Sequence, residues 1–254
     1  MQLLPGLLNG ALPDKSMNIL LTNDDGINSE GIQKLAKVLR SVPNHRVFII
    51  APDCNRSGIS NAISMISGPV KLTKHGEDTY SCGGYPADCV LIALLGGIPA
   101  RPDIVLSGIN QGENLGTDII YSGTAAAARQ ASLAGIPGIA LSLADKEHCC
   151  WDMAVSWSAD HLNELVSLWK KDHFLNVNIP NCPDGPDGML VAPTGKKSYN
   201  DSINRVTVSN DTDWCFLSAE GVSSPIETGS DRDAVEKNFV SVSSIYNFPF
   251  TKKD

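Results

Sequence analysis

The residues best suited to chemistry gather in four short polar segments. The first is Asn23-Asp24-Asp25-Gly26. Adjacent side chains of an extended strand face opposite ways, so neighbouring aspartates share a target only in a turn. Gly26 supplies the backbone freedom for that turn. Two close carboxylates repel each other unless positive charge lies between them, and a hard divalent cation is the simplest solution. Standing alone, Asp-Asp-Gly is more often a helix-capping turn. The second segment runs from Asp53 to Gly58. There Arg56 could meet a phosphate and Ser57 could offer a hydroxyl oxygen to a metal, although by itself this is an ordinary polar loop. The third is Ser107 to Gly116, in which Gly or Asn recurs at every second residue from Gly108. Glycine allows a ligand to approach closely, and asparagine offers both acceptor and donors. The spacing is neither a dinucleotide fingerprint nor a Walker loop. The fourth is Tyr121-Ser122-Gly123-Thr124, ahead of Ala125 to Ala128. Small residues at a helix start leave amide N–H groups open to an anion, and the helix dipole adds ~0.3–1 kcal/mol. Ser122 and Thr124 serve equally well as plain helix caps.

Taken together, the four segments describe a hard-oxygen metal site beside an anion-binding helix start. Aspartate, serine and asparagine oxygens suit Mg²⁺ or Mn²⁺ rather than zinc or copper. Such an ion would draw in a phosphate, acidify bound water and stabilise charge on a transferring phosphoryl group. The five histidines are scattered and have no zinc-site spacing. The seven cysteines include no C-x-x-C pair, and their odd number points to reduced thiols in a cytoplasm. A formal net charge of −8 argues against a nucleic-acid polymer as partner. It also requires the site to neutralise a phosphorylated substrate locally.

The elements that must position these segments follow from hydropathy. Asn18–Thr22, Arg46–Ala51, Asp103–Ser107 and Gly138–Leu143 are short apolar runs of the kind buried on both faces of a parallel sheet. Helices are predicted from Ser29 or Glu30 with Ile32, Leu35, Ala36 and Leu39 inward, over Ser122–Ala134, and over Asp152–Trp169. Ala87–Leu95 reads as a helix, although its Val-Leu-Ile suits a strand too. Strands alternating with helices predict an α/β, doubly wound, mainly parallel sheet of Rossmann-like type, with each polar segment after the carboxyl end of a strand. Beyond a long Pro- and Gly-rich turn at 180–188, Arg205–Ser209 and Asp213–Leu217 alternate apolar with polar and predict a β-hairpin in need of a partner surface. A short helix over Asp231–Lys237 and a last strand over Phe239–Val242 follow. Residues 1–16 read as a leader without functional weight, and 17–254 as one domain with a hairpin extension at about 185–230. The longest apolar run, Cys89–Leu95, is far short of the ~20 residues of a membrane span.

The four polar segments, in this order, resemble the signature of the survival protein SurE family, and Pro86-Ala87-Asp88-Cys89 and Leu175–Pro180 resemble further family segments. The likeness runs from about Met17 to Val242. It implies a divalent-metal-dependent phosphomonoesterase that hydrolyses nucleoside 5′- and 3′-monophosphates by metal-activated water, as a homodimer or homotetramer exchanging C-terminal segments. Carried over by motif, the metal ligands would be Asp24, Asp25, Ser57 and Asn110, holding one Mg²⁺ or Mn²⁺ per subunit, with Asp24 and Asp25 catalytic. The phosphate would sit against Ser122, Gly123 and Thr124, in a pocket shaped by the loop that carries Asn110, Gly112 and Asn114. The exchanged part would be the hairpin. The chain departs from the family at Tyr85, at Gln130-Ala131 and at Ser241–Ile245, where Thr, Glu-Gly and Thr-Pro-Leu are usual. Two other readings use the same residues. A haloacid-dehalogenase-type phosphatase would need its aspartates spaced D-x-D rather than adjacent. A metal-dependent nucleotide-binding or sensing protein would keep the ligands and lack turnover.

Overall fold

The computed structural model describes residues 2–3, 16–145 and 147–248. Most of the expected leader, residue 1 and residues 4–15, lies outside them. The strands are β1 (Gln2–Leu3), β2 (Met17–Thr22), β3 (His45–Pro52), β4 (Leu72–Gly76), β5 (Thr79–Cys82), β6 (Ile104–Gln111), β7 (Gly138–Ala144), β8 (His173–Pro180), β9 (Met189–Val191), β10 (Tyr199–Ser209), β11 (Thr212–Val222) and β12 (Val240–Tyr246). The helices are α1 (Glu30–Ser41), α2 (Pro86–Ile92), α3 (Gly123–Leu133), α4 (Trp151–Asp160), α5 (Leu162–Leu168) and α6 (Asp231–Glu236). Ten strands form one sheet in the order β1-β9-β12-β8-β7-β6-β2-β3-β5-β4. The run from β8 to β5 is parallel throughout, and antiparallel pairs occur only towards the edges.

The apolar runs explain this centre. Ile19 and Leu21 of β2 join Leu35, Ile49, Leu106, Trp157 and Leu165 in a core beneath α1, α4 and α5. Leu20, between them, faces the other way into Phe48, Ile50, Val105, Ala127 and Ala131 beneath α2 and α3. Burial on both faces removes the need for polar alternation, and each such side chain contributes roughly 1.5–3 kcal/mol of transfer free energy. The doubly wound, mainly parallel architecture is therefore as expected, and so is the C-terminal antiparallel hairpin.

Four local readings change. The helix expected over Asp152–Trp169 is two helices, broken at His161, which caps both. The His161 ring stacks on Trp157 at 4.3 Å and hydrogen-bonds its carbonyl oxygen, a local bond that competes with the helix ladder. Strand β6 continues through Asn110 and Gln111, so half of the expected Gly/Asn loop is sheet. Strand β8 has no counterpart in the hydropathy reading because Asn176 and Asn178 interrupt its apolar run, yet both are fully buried. The Ala87–Leu95 segment resolves as the helix α2 followed by one wider turn over Ala93–Gly97.

Strands β10 and β11 pair only with each other, around the Asn210-Asp211 turn. Every residue along both of them is exposed, including Trp214, Phe216 and Leu217.

Candidate active site

From β2 the chain winds outward to β3 and β5, then returns to lay β6 on the other side of β2. Open α/β sheets bind ligands at such a reversal, in the crevice beyond the carboxyl ends of the strands. Asp24 and Asp25 follow β2 there, and β6 ends in Asn110 and Gln111.

The aspartate turn is held by its own neighbours. Asn23 donates from its amide to the Gly26 carbonyl oxygen at 3.0 Å and to the Ser29 hydroxyl at 2.7 Å, and it accepts from the Gly26 N–H at 3.2 Å. Gly26 has φ 100°, and a β-carbon there would meet the Cys54 backbone at 3.1 Å, so glycine is required. The Arg56 N–H donates to the Asp24 carbonyl oxygen at 2.7 Å, tying the loop that carries Ser57 to this turn.

Helix α3 abuts the turn. The Ser122 hydroxyl caps it by accepting from the Ala125 N–H at 3.0 Å. Thr124 is fully buried, and its hydroxyl donates to Asp24 Oδ1 at 2.5 Å. Gly123 sits so close that a β-carbon would fall 2.9 Å from Asp24 Oδ2. Asp25 faces the other side, where it accepts from the Gln111 N–H at 3.2 Å.

A cavity of ≈ 230 Å³ opens in this crevice, lined by Asp24, Ser57, Asn110, Gly112, Asn114 and Ser122 among others. Asp25, Gly123 and Thr124 do not line it. Gly123 and Thr124 stand behind Asp24, and the Thr124 hydroxyl is engaged with that carboxylate rather than with the cavity. Asn114 is anchored from the sheet. Its N–H donates to Asn178 Oδ1 at 2.8 Å, its amide donates to the Ser142 hydroxyl at 2.8 Å, and its carbonyl oxygen accepts from Asn176 at 2.8 Å. The buried asparagines of β8 therefore hold the loop in place.

Burial raises the Asp24 carboxyl above its ordinary value, and the hydrogen bond from Thr124 offsets only part of this. Asp25 is pushed up to about 6, first by burial and then by the charge of Asp24, against the Gln111 hydrogen bond. Two carboxylates side by side, each disfavoured as an anion by burial, favour an added cation. Among the described residues no three His, Cys, Asp or Glu side chains cluster as a metal site. The available donor set is instead one of mixed oxygens from Asp24, Ser57 and Asn110 on the cavity wall, with Asp25 adjoining. The Asn110 amide nitrogen is engaged with the Gly112 carbonyl oxygen at 2.8 Å, so its oxygen is the atom left for a ligand. Such a set fits a hard divalent ion.

The same cavity is lined by Glu113, within the expected loop, and by Asp118, Lys197 and Tyr199, which were not foreseen from sequence. Lys197 is 6% exposed, with Nζ 3.0 Å from Glu113 Oε1 and 2.6 Å from Asp118 Oδ2, and the Tyr199 hydroxyl donates to Asp118 Oδ1 at 2.6 Å. Burial alone would lower the Lys197 pKa. The bonds to Asp118 and Tyr199 and the nearby carboxylates outweigh it and raise the pKa. Lysine and tyrosine next to a hairpin give no periodic signal, and only the tertiary fold brings them here.

Residues 19–201 match the family model described as survival protein SurE. The chain is 37% identical over 231 residues to 5′-nucleotidase SurE of Actinobacillus succinogenes, covering 90% of this chain and 92% of that relative. It is 37% identical over 237 residues to 5′-nucleotidase SurE of Vibrio cholerae, covering 90% and 91%. The crystal structure of the SurE protein from Aquifex aeolicus superposes with a TM-score of 0.79 at 34% identity, covering 91% of this chain and 94% of that one.

Proposed function

The chain belongs to the survival protein SurE family, and from that premise we propose that it is a 5′-nucleotidase, a phosphoric monoester hydrolase that cleaves nucleoside monophosphates with the help of one divalent Mg²⁺ or Mn²⁺ ion per subunit. The observation that carries this reading is the meeting of Asp24, Ser57, Asn110 and Ser122 on one cavity at the reversal of the sheet. When bound, a hard divalent cation lowers the pKa of coordinated water and offsets charge on the phosphoryl group.

The protein's own groups do the rest. Asp24 and Asp25 supply negative charge to hold the ion, while Thr124 fixes the orientation of Asp24. Ser57 and Asn110 complete an oxygen donor set. The start of α3 at Ser122 offers the positive end of a helix dipole to a phosphate. Asp25 adjoins the cavity rather than lining it, so its part is to add negative charge beside Asp24.

No helix among the described residues is long and apolar enough to cross a membrane. Seven cysteines without a disulfide fit a reducing, cytoplasmic setting. The β10–β11 hairpin, exposed along both strands with Trp214, Phe216 and Leu217 on its surface, supports exchange with a second copy of the chain in a homodimer or homotetramer.

The test is phosphate release from a panel of nucleoside monophosphates with EDTA, Mg²⁺ or Mn²⁺, comparing wild type with Asp24→Ala and Asp25→Ala. Metal-dependent release that both variants lose is the expected outcome. Turnover that survives EDTA, or survives either substitution, overturns this assignment of the site.

A further inference from the structure

The short turn Gly116–Ile120 contributes to two cavities. Asp118 lines the one described above, while Ile119 and Ile120 line a second of ≈ 540 Å³. The two linings share no residue. The second carries two cationic side chains, Arg129 and Lys196, against a single carboxylate, Glu227. A chain of formal net charge −8 therefore has a locally positive hollow here.

Arg129 is the informative residue. It lies on α3, about two turns beyond Ser122, and is half-buried. Its guanidinium rests over the ring of the fully buried Phe174 at 4.9 Å. Among the described residues it has neither an ion pair nor a hydrogen bond. Burial lowers its pKa below the usual arginine value, and nothing is set against that effect. Arginine stays charged at neutral pH all the same, and a charge drawn out of water without a partner costs free energy. Glu227 does not repay that cost, since its Oε1 accepts from the Lys196 backbone N–H at 3.2 Å. The planar fork of N–H donors is thus left for an outside carboxylate or phosphate, which it matches bidentately.

The rest of the lining says what else such an anion carries. Ile119, Ile120 and Ile245 are apolar. The volume falls within the roughly 300–1,000 Å³ of pockets that take small organic ligands, and a bare inorganic ion would leave most of it unfilled.

We infer that this cavity is a binding site for a small organic anion, a carboxylate or phosphate group on an apolar body, with Arg129 holding the anionic group and the three isoleucines meeting the body. The site is separate from the hydrolytic one and does not depend on the nucleotidase reading.

The experiment is calorimetric titration of the protein in EDTA with four probes: phenylphosphonate, which has no ester bond to cleave, benzoate, inorganic phosphate and the neutral benzamide. Phenylphosphonate or benzoate is expected to bind once per chain and more tightly than either inorganic phosphate or benzamide, and the stronger of the two tells phosphate from carboxylate. Arg129→Met keeps an unbranched apolar side chain over Phe174 and removes the charge, so it should weaken that binding about 10- to 100-fold. Ile120→Asp, at a 57% exposed position, adds a negative charge to the lining without entering the core and should weaken it as well, which keeps the test open if the first variant folds poorly. Binding of neither organic anion overturns the proposal, and so does binding that both variants leave undiminished. A dimer in sedimentation equilibrium that Arg129→Met dissociates overturns it too, because the cavity would then hold a carboxylate of a second copy of the chain.

Discussion

Thr124→Val is the sharpest test of how the site is built. The substitution keeps the shape and branching of the side chain and removes one hydroxyl, the donor to Asp24 Oδ1. Thr124 is fully buried, so no water replaces the lost bond. A hydrogen bond to a charged group contributes about 1.5–3 kcal/mol. Burial already raises the Asp24 carboxyl, and the Thr124 bond is the largest effect holding it down. Without that bond the ionised carboxylate that would bind a divalent ion is less favoured by an amount of the same size. Metal affinity at neutral pH should therefore fall about ten- to a hundredfold. The assay is phosphate release as a function of Mn²⁺ concentration, with thermal melting in EDTA to show that the fold survives. The half-saturating metal concentration should rise and recover as pH is raised, and Thr124→Ser should restore it. A valine variant with wild-type metal dependence would refute the claim that Thr124 tunes Asp24.

Four further outcomes follow from the same geometry. Gly123→Ala ought to gain up to ~1 kcal/mol as an ordinary helix substitution, but its β-carbon would meet Asp24 at 2.8–2.9 Å. The expected result is a loss of ~1–3 kcal/mol by thermal melting and a kcat/KM lower by about 100-fold, and a stabilised, active variant sinks this. Asp25 binds its proton more tightly when folded, at about 6 against an ordinary 3.8, so the metal-free protein should lose stability as pH rises from about 4 to 6. Melting temperatures across that window in EDTA check the sign, and Asp25→Asn should flatten the slope. Saturating Mg²⁺ or Mn²⁺ at 100 times its dissociation constant should stabilise the wild type by ~2.7 kcal/mol and Asp24→Ala hardly at all, read by the same melting experiment. Trp214→Asp with Leu217→Asp should yield a smaller species in analytical ultracentrifugation with little change in the stability of the core, because both side chains lie outside it.

The central sheet and its helices were legible because burial on both faces writes itself as unbroken apolar runs such as Ile19-Leu20-Leu21. The polar segments that meet at the cavity were legible because aspartate pairs, small residues and alternating Gly/Asn are unusual in series. Strand β8 was not, since its two asparagines satisfy a loop 62 and 64 residues away and read locally as breaks. The bond from Thr124 to Asp24 was hidden for a related reason. A threonine at a helix start looks like a cap or an anion contact, and only packing reveals that it faces a carboxylate. Lys197 and Tyr199 carry no local pattern at all.

The contacts that build the site also bear on how it comes into being. Thr124 reaches back 100 residues to Asp24, and the Gln111 N–H reaches 86 residues to Asp25. Loops of that length must close before either bond forms, and the parallel strands between them pair late for the same entropic reason. Enzymatic activity should therefore emerge only with the last cooperative step of refolding, with no partial activity in earlier intermediates. A nascent chain shorter than about 125 residues lacks α3 altogether, so on the ribosome it exposes two adjacent aspartates that have neither their hydroxyl donor nor the neighbouring helix.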